Sequence, residues 1–149
     1  MPPRVWILES VLRRLEGYGS GSGVEMGGFL MGRVWEERDF LVTVLSTVRT
    51  GRRNVNLGLP PLGAVGWFRS RSHGTPGLWS DGRAHAHLFP QTAGLFAVLA
   101  GGKAAFFHGK GRLLEPVLAV EIVDLPMEQI RWVESVEALR AAVQQGSRP

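Results

Sequence analysis

Arg69 and Arg71 stand two residues apart in the run Val65-Gly66-Trp67-Phe68-Arg69-Ser70-Arg71, and Glu25, Asp81, Arg83, His73 and the His85-Ala86-His87 pair complete the chemically capable set. Alternation along an extended segment turns Val65, Trp67, Arg69 and Arg71 to one face, so the two guanidinium groups aim at a common point. An arginine stays protonated at any workable pH and offers only donors, so that point suits an oxyanion and not a metal ion. Glu25 and Asp81 are the candidate internal partners, through bidentate pairs. A carboxylate or phosphate group of a ligand at Arg69 and Arg71 is the other reading, and the internal ion pair takes precedence.

On a helix, His85 and His87 point about 200° apart and cannot share one ion. Asp81 and His85, at i and i+4, share a face, and His73 would complete a displaced zinc set with them. His108 is expected as an exposed or half-buried neutral histidine. Trp67, Phe68 and Trp79 read first as core packing and second as the lining of a groove, with Trp67 and Trp79 also binding candidates beside the arginines. The glycines punctuate strands and open no strand-to-helix turn, so no phosphate-cradling loop is present.

These groups need a scaffold, and 149 residues suffice for one domain, 1–149, with a genuine core. The absence of cysteine removes disulfides and thiolate metal sites together. No apolar run is long enough for a membrane span, and the first residues lack the apolar centre of a secretory signal; a cytoplasmic location is the default expectation. The formal charge is +4, with fifteen arginines against two lysines. Because the arginines are scattered, nucleic acid is a disfavoured partner despite the basic balance.

Glu9–Gly17 is predicted as a helix, with Val11, Leu12 and Leu15 on one face and Gly17 at its C-terminus. Gly19–Gly23 is a flexible loop. Glu25–Trp35 and Asp39–Val48 read as strands joined by a Glu36-Glu37-Arg38 turn. Thr50–Pro61 is irregular, Leu62–Arg71 a third strand, and Ser72–Ser80 a loop. A helix follows to Phe89, with Ser80 as its cap and Asp81 in its first turn. Leu95–Ala100, Lys103–His108 and Pro116–Leu125 are predicted strands. An amphipathic helix over 126–144 opens with Pro126 at its first position and buries Ile130, Val133, Val136, Leu139 and Val143. The order β-α-β-β-β-α-β-β-β-α specifies an α+β domain with helices against a mixed sheet.

Three of these segments carry a resemblance that covers about residues 5–125. Glu25-x-Gly27-Gly28-Phe29-Leu30-Met31-Gly32 is similar to the Glu-x-x-Gly-Leu-Leu-x-Gly strand of the JAB/MPN (JAMM) domain family. Gly66-Trp67-Phe68-Arg69-Ser70-Arg71 is similar to that family's His-x-His strand. Gly77-Leu78-Trp79-Ser80-Asp81-Gly82-Arg83 is similar to the stretch that delivers its third metal ligand. The resemblance implies an MPN-like (cytidine-deaminase-like) fold, with a core over 4–125. It also implies an ancestral chemistry of zinc-assisted amide or isopeptide hydrolysis, in which the glutamate relays a proton.

Arg69 and Arg71 stand at the two histidine positions, Arg83 stands at the aspartate position by counting three beyond Ser80, and Asp81 lies two residues early. Of the four catalytic positions, Glu25 clearly keeps its residue type. The expectation is a degenerate member with no cofactor and no hydrolysis, Glu25 being vestigial. It would act as a protein-binding or assembly module through a partner or by self-association, with the apolar terminal helix as a candidate contact surface. Two alternatives stand beside it. One is a zinc-dependent peptidase or isopeptidase with a displaced site at Asp81, His85 and His73. The other is an anion- or nucleic-acid-binding module built on Arg69 and Arg71.

Overall fold

The computed structural model describes residues 2–20, 25–51, 57–71 and 78–146. The chain runs β1 (Arg4–Leu8), α1 (Glu9–Gly19), β2 (Glu25–Trp35), β3 (Asp39–Gly51), β4 (Ala64–Ser70), α2 (Leu78–Leu88), β5 (Gly94–Ala100), β6 (Lys103–Gly109), β7 (Glu115–Pro116), β8 (Ala119–Val123), α3 (Met127–Ile130) and α4 (Val136–Gly146). Among the described residues, eight strands form one mixed sheet in the order β7-β6-β5-β4-β2-β3-β1-β8. β1 runs parallel to both β3 and β8, and β4 parallel to β5, while the remaining pairs are antiparallel.

The sheet must curl almost onto itself. β7 and β8 are the two opposite edges, yet Pro116 and Ala119 are three residue steps apart in the chain, a reach of at most about 11 Å. Val117, in that short link, is buried and donates its backbone N–H to the Phe106 carbonyl at 2.8 Å. The expected single strand over Pro116–Leu125 is therefore two strands on opposite edges. A periodic pattern cannot show this crossing, because it lies in pairing and not in residue type.

Helices cover both faces of the sheet. Trp67 and Phe68 are neighbours in β4 and so face opposite ways. Phe68 stacks on Tyr18 of α1 with ring centroids 6.0 Å apart, whereas Trp67 meets His85 of α2. The larger core gathers Val5, Trp6, Ile7, Leu15, Phe40 and Leu99 among others. A smaller one beneath α2 gathers Phe29, Leu57, Trp67, Phe89, Phe96 and Val98. In it, Phe29, Trp67 and Phe96 lie side by side on three adjacent strands, and Trp67 stacks on Phe96 at 4.2 Å. Such a pair adds about 1 kcal/mol beyond its buried area.

Several boundaries differ from expectation for physical reasons. α1 runs past Gly17, and Ser20 closes it by donating its backbone N–H and its hydroxyl to the Gly17 carbonyl. α2 begins at Leu78, so Ser80 lies inside the helix and is not its cap. The helix expected over 126–144 is broken into α3 and α4. Ser135 caps α4 by accepting the Ala138 N–H at Oγ, 3.1 Å, and Trp35 Nε1 donates to the Glu134 carbonyl at 3.1 Å and pins the intervening link. Pro126 is the extended residue ahead of α3, not its first helical position. Ile130, Val133 and Leu139 are nevertheless buried, with Val136 and Val143 packed against the same core. The apolar stripe of the terminal helix is spent inside the fold and is not a free contact surface.

Val65 also departs from its expected face. Ala64 and Trp67 both pack in the core under α2, while Val65 joins the other core. The cause is a register shift opposite Leu30 and Met31 in the β2–β4 ladder, a bulge that inserts one residue and turns the face. Gly66 sits there because a Cβ would come within 2.5 Å of the Leu95 carbonyl oxygen. Beyond the bulge, alternation is regular through Arg69.

Candidate functional site

Three elements converge on one point. β2 brings Glu25 at its first residue, β4 brings Arg69 with Arg71 just beyond its end, and α2 brings Asp81 from its first turn. Gly27 pairs with Arg69 in the β2–β4 ladder, and Ser70 Oγ accepts the Met26 N–H at 2.7 Å, which fastens the start of β2 to the end of β4. Arg71 is held in turn by its backbone N–H, which donates to the Leu99 carbonyl at 2.8 Å.

Arg69 Nη1 donates to Asp81 Oδ1 at 3.2 Å, and Arg69 Nη2 donates to Glu25 Oε2 at 3.3 Å. Arg71 Nη2 donates to the same Asp81 Oδ1. Asp81 is fully buried, and the side chains of Arg69, Arg71 and Glu25 keep 13%, 17% and 20% of their exposure. Two guanidinium groups thus face two carboxylates with no net charge, which is how buried cations are tolerated. Among the described residues, Asp81 Oδ2 and Arg71 Nε are buried without a hydrogen-bond partner.

Arg83 does not occupy the inward position. It is exposed on α2, while Asp81, two residues earlier, points into the arginines. About 200° of helical rotation separates the two. The carboxylate that meets the strand arginines is therefore the one that counting places early.

His85 lies one turn after Asp81 and is also fully buried. Its Nδ1 accepts the Trp67 Nε1–H at 2.9 Å, and its Nε2 donates to the Gly109 carbonyl at 2.7 Å. Both partners fix the neutral Nε2–H tautomer, and burial holds its pKa below the ordinary value of 6.5. Its ring also stacks on Phe89, 5.4 Å away. His85 is a core histidine that ties α2 to β4 and β6. His87 is exposed, on the other side of the helix. His108 is partly buried.

These commitments bear on zinc. Asp81 Oδ1 is taken by two arginines and each His85 nitrogen by a hydrogen bond, while Asp81 Oδ2 is left without a partner. His73 lies outside the described residues, as do residues 52–56 of the irregular stretch, 21–24 of the glycine-serine loop and the side chain of Trp79. Among the described residues, no group of three or more His, Cys, Asp or Glu is placed to hold a metal ion. The donor set at Arg69, Arg71 and Asp81 does not fit the ion.

A cavity of about 460 Å³ opens beside the network. One wall is a single face of α2, Ser80, Arg83, Ala84 and His87, at i, i+3, i+4 and i+7 spacing; Trp67 and Arg69 of β4, with Leu57, line the other. The sequence offers a groove at Trp67 and Phe68 as the reading behind core packing, but not its α2 wall. The spacing along α2 was its available signal, but the facing wall depends on how the strands pair.

No helix among the described residues is long and apolar enough to cross a membrane. No family model matches the chain, and no curated protein matches it. Among solved structures, it is similar to protein DSY2949 from Desulfitobacterium hafniense, known from a solution structure. The TM-score is 0.55 with 10% identity, over 83% of this chain and 96% of that one. At that identity the likeness is one of fold alone, a mixed α+β domain whose sheet is flanked by helices.

Proposed function

We propose that the chain is a catalytically silent JAB/MPN-like domain that serves as a protein-binding or assembly module. In this reading an arginine–carboxylate network stands where a metal centre would be. The observation that carries the reading is the pairing of Asp81 with both Arg69 and Arg71, backed by Glu25 on Arg69. Fixed positive charge at Arg69 and Arg71 replaces the charge of an ion, and Asp81 neutralises it together with Glu25, which stands at the position of the family's base. A site so filled lacks both an open coordination position and a free general base.

A contact surface is available elsewhere. β8 is an edge strand, and along it Val120 and Ile122 are exposed by 36% and 53%, with Leu118 just before it at 93%. Unpaired backbone and exposed apolar side chains on one edge favour strand addition by a partner or a second copy. Sedimentation of the purified protein tests self-association: a dimer that Ile122→Lys converts to monomer supports it. A wild-type monomer that also retains no protein partner on affinity capture, or whose captured partner is unaffected by Ile122→Lys, would overturn the assembly role assigned to this edge. Peptidase or isopeptidase turnover that is lost on Glu25→Gln would overturn the silent-domain reading itself.

A further inference from the structure

The two edge strands of the sheet are built differently. β7 is two residues long and ends in Pro116, which has no N–H to donate. Short strands and prolines are among the features that keep an edge from being extended. β8 runs over five residues, Ala119–Val123, and pairs with β1 in unbroken parallel register. It carries no lysine, proline or bulge, so nothing in its own backbone opposes a further strand. Val120 and Ile122 share one face and both are exposed. Glu121, on the other face, accepts from Trp6 Nε1 at 3.1 Å and lies 3.9 Å from Arg4.

Charge selects the partner. From Leu113 to Ile130 the chain carries Glu115, Glu121, Asp124 and Glu128 and no basic residue, in a protein of net charge +4. All four acidic residues are exposed. Among the described residues, Asp124 and Glu128 have no ion-pair partner. At the C-terminal end of β8 a cavity of about 410 Å³ is lined by Leu8, Val123, Leu125 and Met127, with Asp124 among them. Glu9 and Arg13 also line it and pair with each other. A lysine or arginine side chain matches this lining, because its methylene stem packs on apolar surface while its charge reaches the carboxylate. A second copy matches it poorly. Symmetric pairing sets the same patch on both sides, so Glu121 and Asp124 of one edge would meet those of the other, and like charges across strands destabilise.

We propose that the β8 edge takes an added strand from a basic partner. Alternating apolar side chains of that strand cover Val120 and Ile122, and its lysine or arginine enters the cavity at Asp124. The inference rests on the assembly reading above and deepens it by giving the partner's chemistry.

Backbone amide shifts of the full chain, titrated with acetyl-Lys-Arg-Val-Thr-Val-Thr-Val-Lys amide, test it. The charge control has Glu in place of each basic residue, and the pairing control is the basic peptide N-methylated at every Val and Thr. The basic peptide should move the amides from Ala119 to Leu125 and bind about tenfold more tightly than the acidic one. The N-methylated peptide should not bind. Asp124→Asn with Glu128→Gln should remove most of the charge preference, and Ile122→Lys should abolish binding. These variants alter exposed side chains, and an amide spectrum unchanged away from β8 verifies their fold. Equal binding of the basic and acidic peptides, or a preference untouched by Asp124→Asn with Glu128→Gln, would overturn the basic partner and leave the edge an assembly surface. A dimer formed through β8 would do the same. Binding that survives N-methylation, or no β8 shift at millimolar peptide, would overturn strand addition by a basic partner, while sedimentation and capture decide the assembly role separately.

Discussion

Replacing Asp81 by Asn removes the charge that two arginines share while keeping the size of the side chain. Asp81 is fully buried and its Oδ1 accepts from both Arg69 and Arg71. Removing one partner of a buried ion pair costs about 3–5 kcal/mol, because the remaining charge is left without compensation. Arg69 retains Glu25, and both arginine side chains keep some contact with water, so the expectation here is at the lower end, about 3 kcal/mol. Glu25→Gln removes a single bond of 3.3 Å at a carboxylate that is 20% exposed, and should cost about 1 kcal/mol. Urea unfolding followed by tryptophan fluorescence reads both: the midpoint falls in each variant with the slope unchanged, and falls much further for Asp81→Asn. The combined change Asp81→Leu, Arg69→Met, Arg71→Met and Glu25→Gln should recover much of the loss, since replacing all four members strands no charge. An Asp81→Asn variant no less stable than Glu25→Gln would refute the network as the structural centre of this site.

Further outcomes follow from other residues. Burial lowers the His85 pKa below 6.5, so the folded protein resists a proton that the unfolded chain accepts. Its contribution to stability is present above about pH 6.5 and is lost as pH falls below it toward the folded pKa. Unfolding free energies at a series of pH values should fall through that window in the wild type and less steeply in His85→Gln; identical slopes would exclude His85 as the source. In the turn that joins β2 to β3, Glu36 and Glu37 hold φ of 54° and 51°, a left-handed backbone that costs side-chain-bearing residues about 1 kcal/mol each. Glu36→Asn with Glu37→Gly should raise the unfolding midpoint, which a thermal scan checks. Arg69→His with Arg71→His places two imidazoles beside Asp81, and this variant should take up zinc with a dependence on Asp81, read by metal analysis after dialysis.

Much of the site was legible because arginine and carboxylate chemistry follows directly from residue type. Strand alternation put Arg69 and Arg71 on one face and the resemblance brought Glu25 and Asp81 near them, but the count along the helix put Arg83 in the inward place that Asp81 occupies. Helical geometry likewise separates His85 from His87, and the structure places one inside and one outside. What was hidden depends on pairing. Val65 changes face through a bulge set by the β2 register, and residues 115–123 divide between two sheet edges. The break before α4 was signalled by Ser135, a good cap ahead of Val136, but an apolar rhythm continuous across it concealed the interruption. The Trp67–His85–Gly109 chain joins three elements, and no local pattern encodes it.

The zinc content of the wild-type protein bears most directly on the account. The chain would be purified without chelator, incubated with excess zinc, dialysed, and analysed for bound metal alongside the Arg69→His, Arg71→His variant. The account predicts far less than one zinc per wild-type chain and a stoichiometric ion in the variant. One firmly held zinc per wild-type chain, lost on Asp81→Asn or His85→Ala, would contradict it.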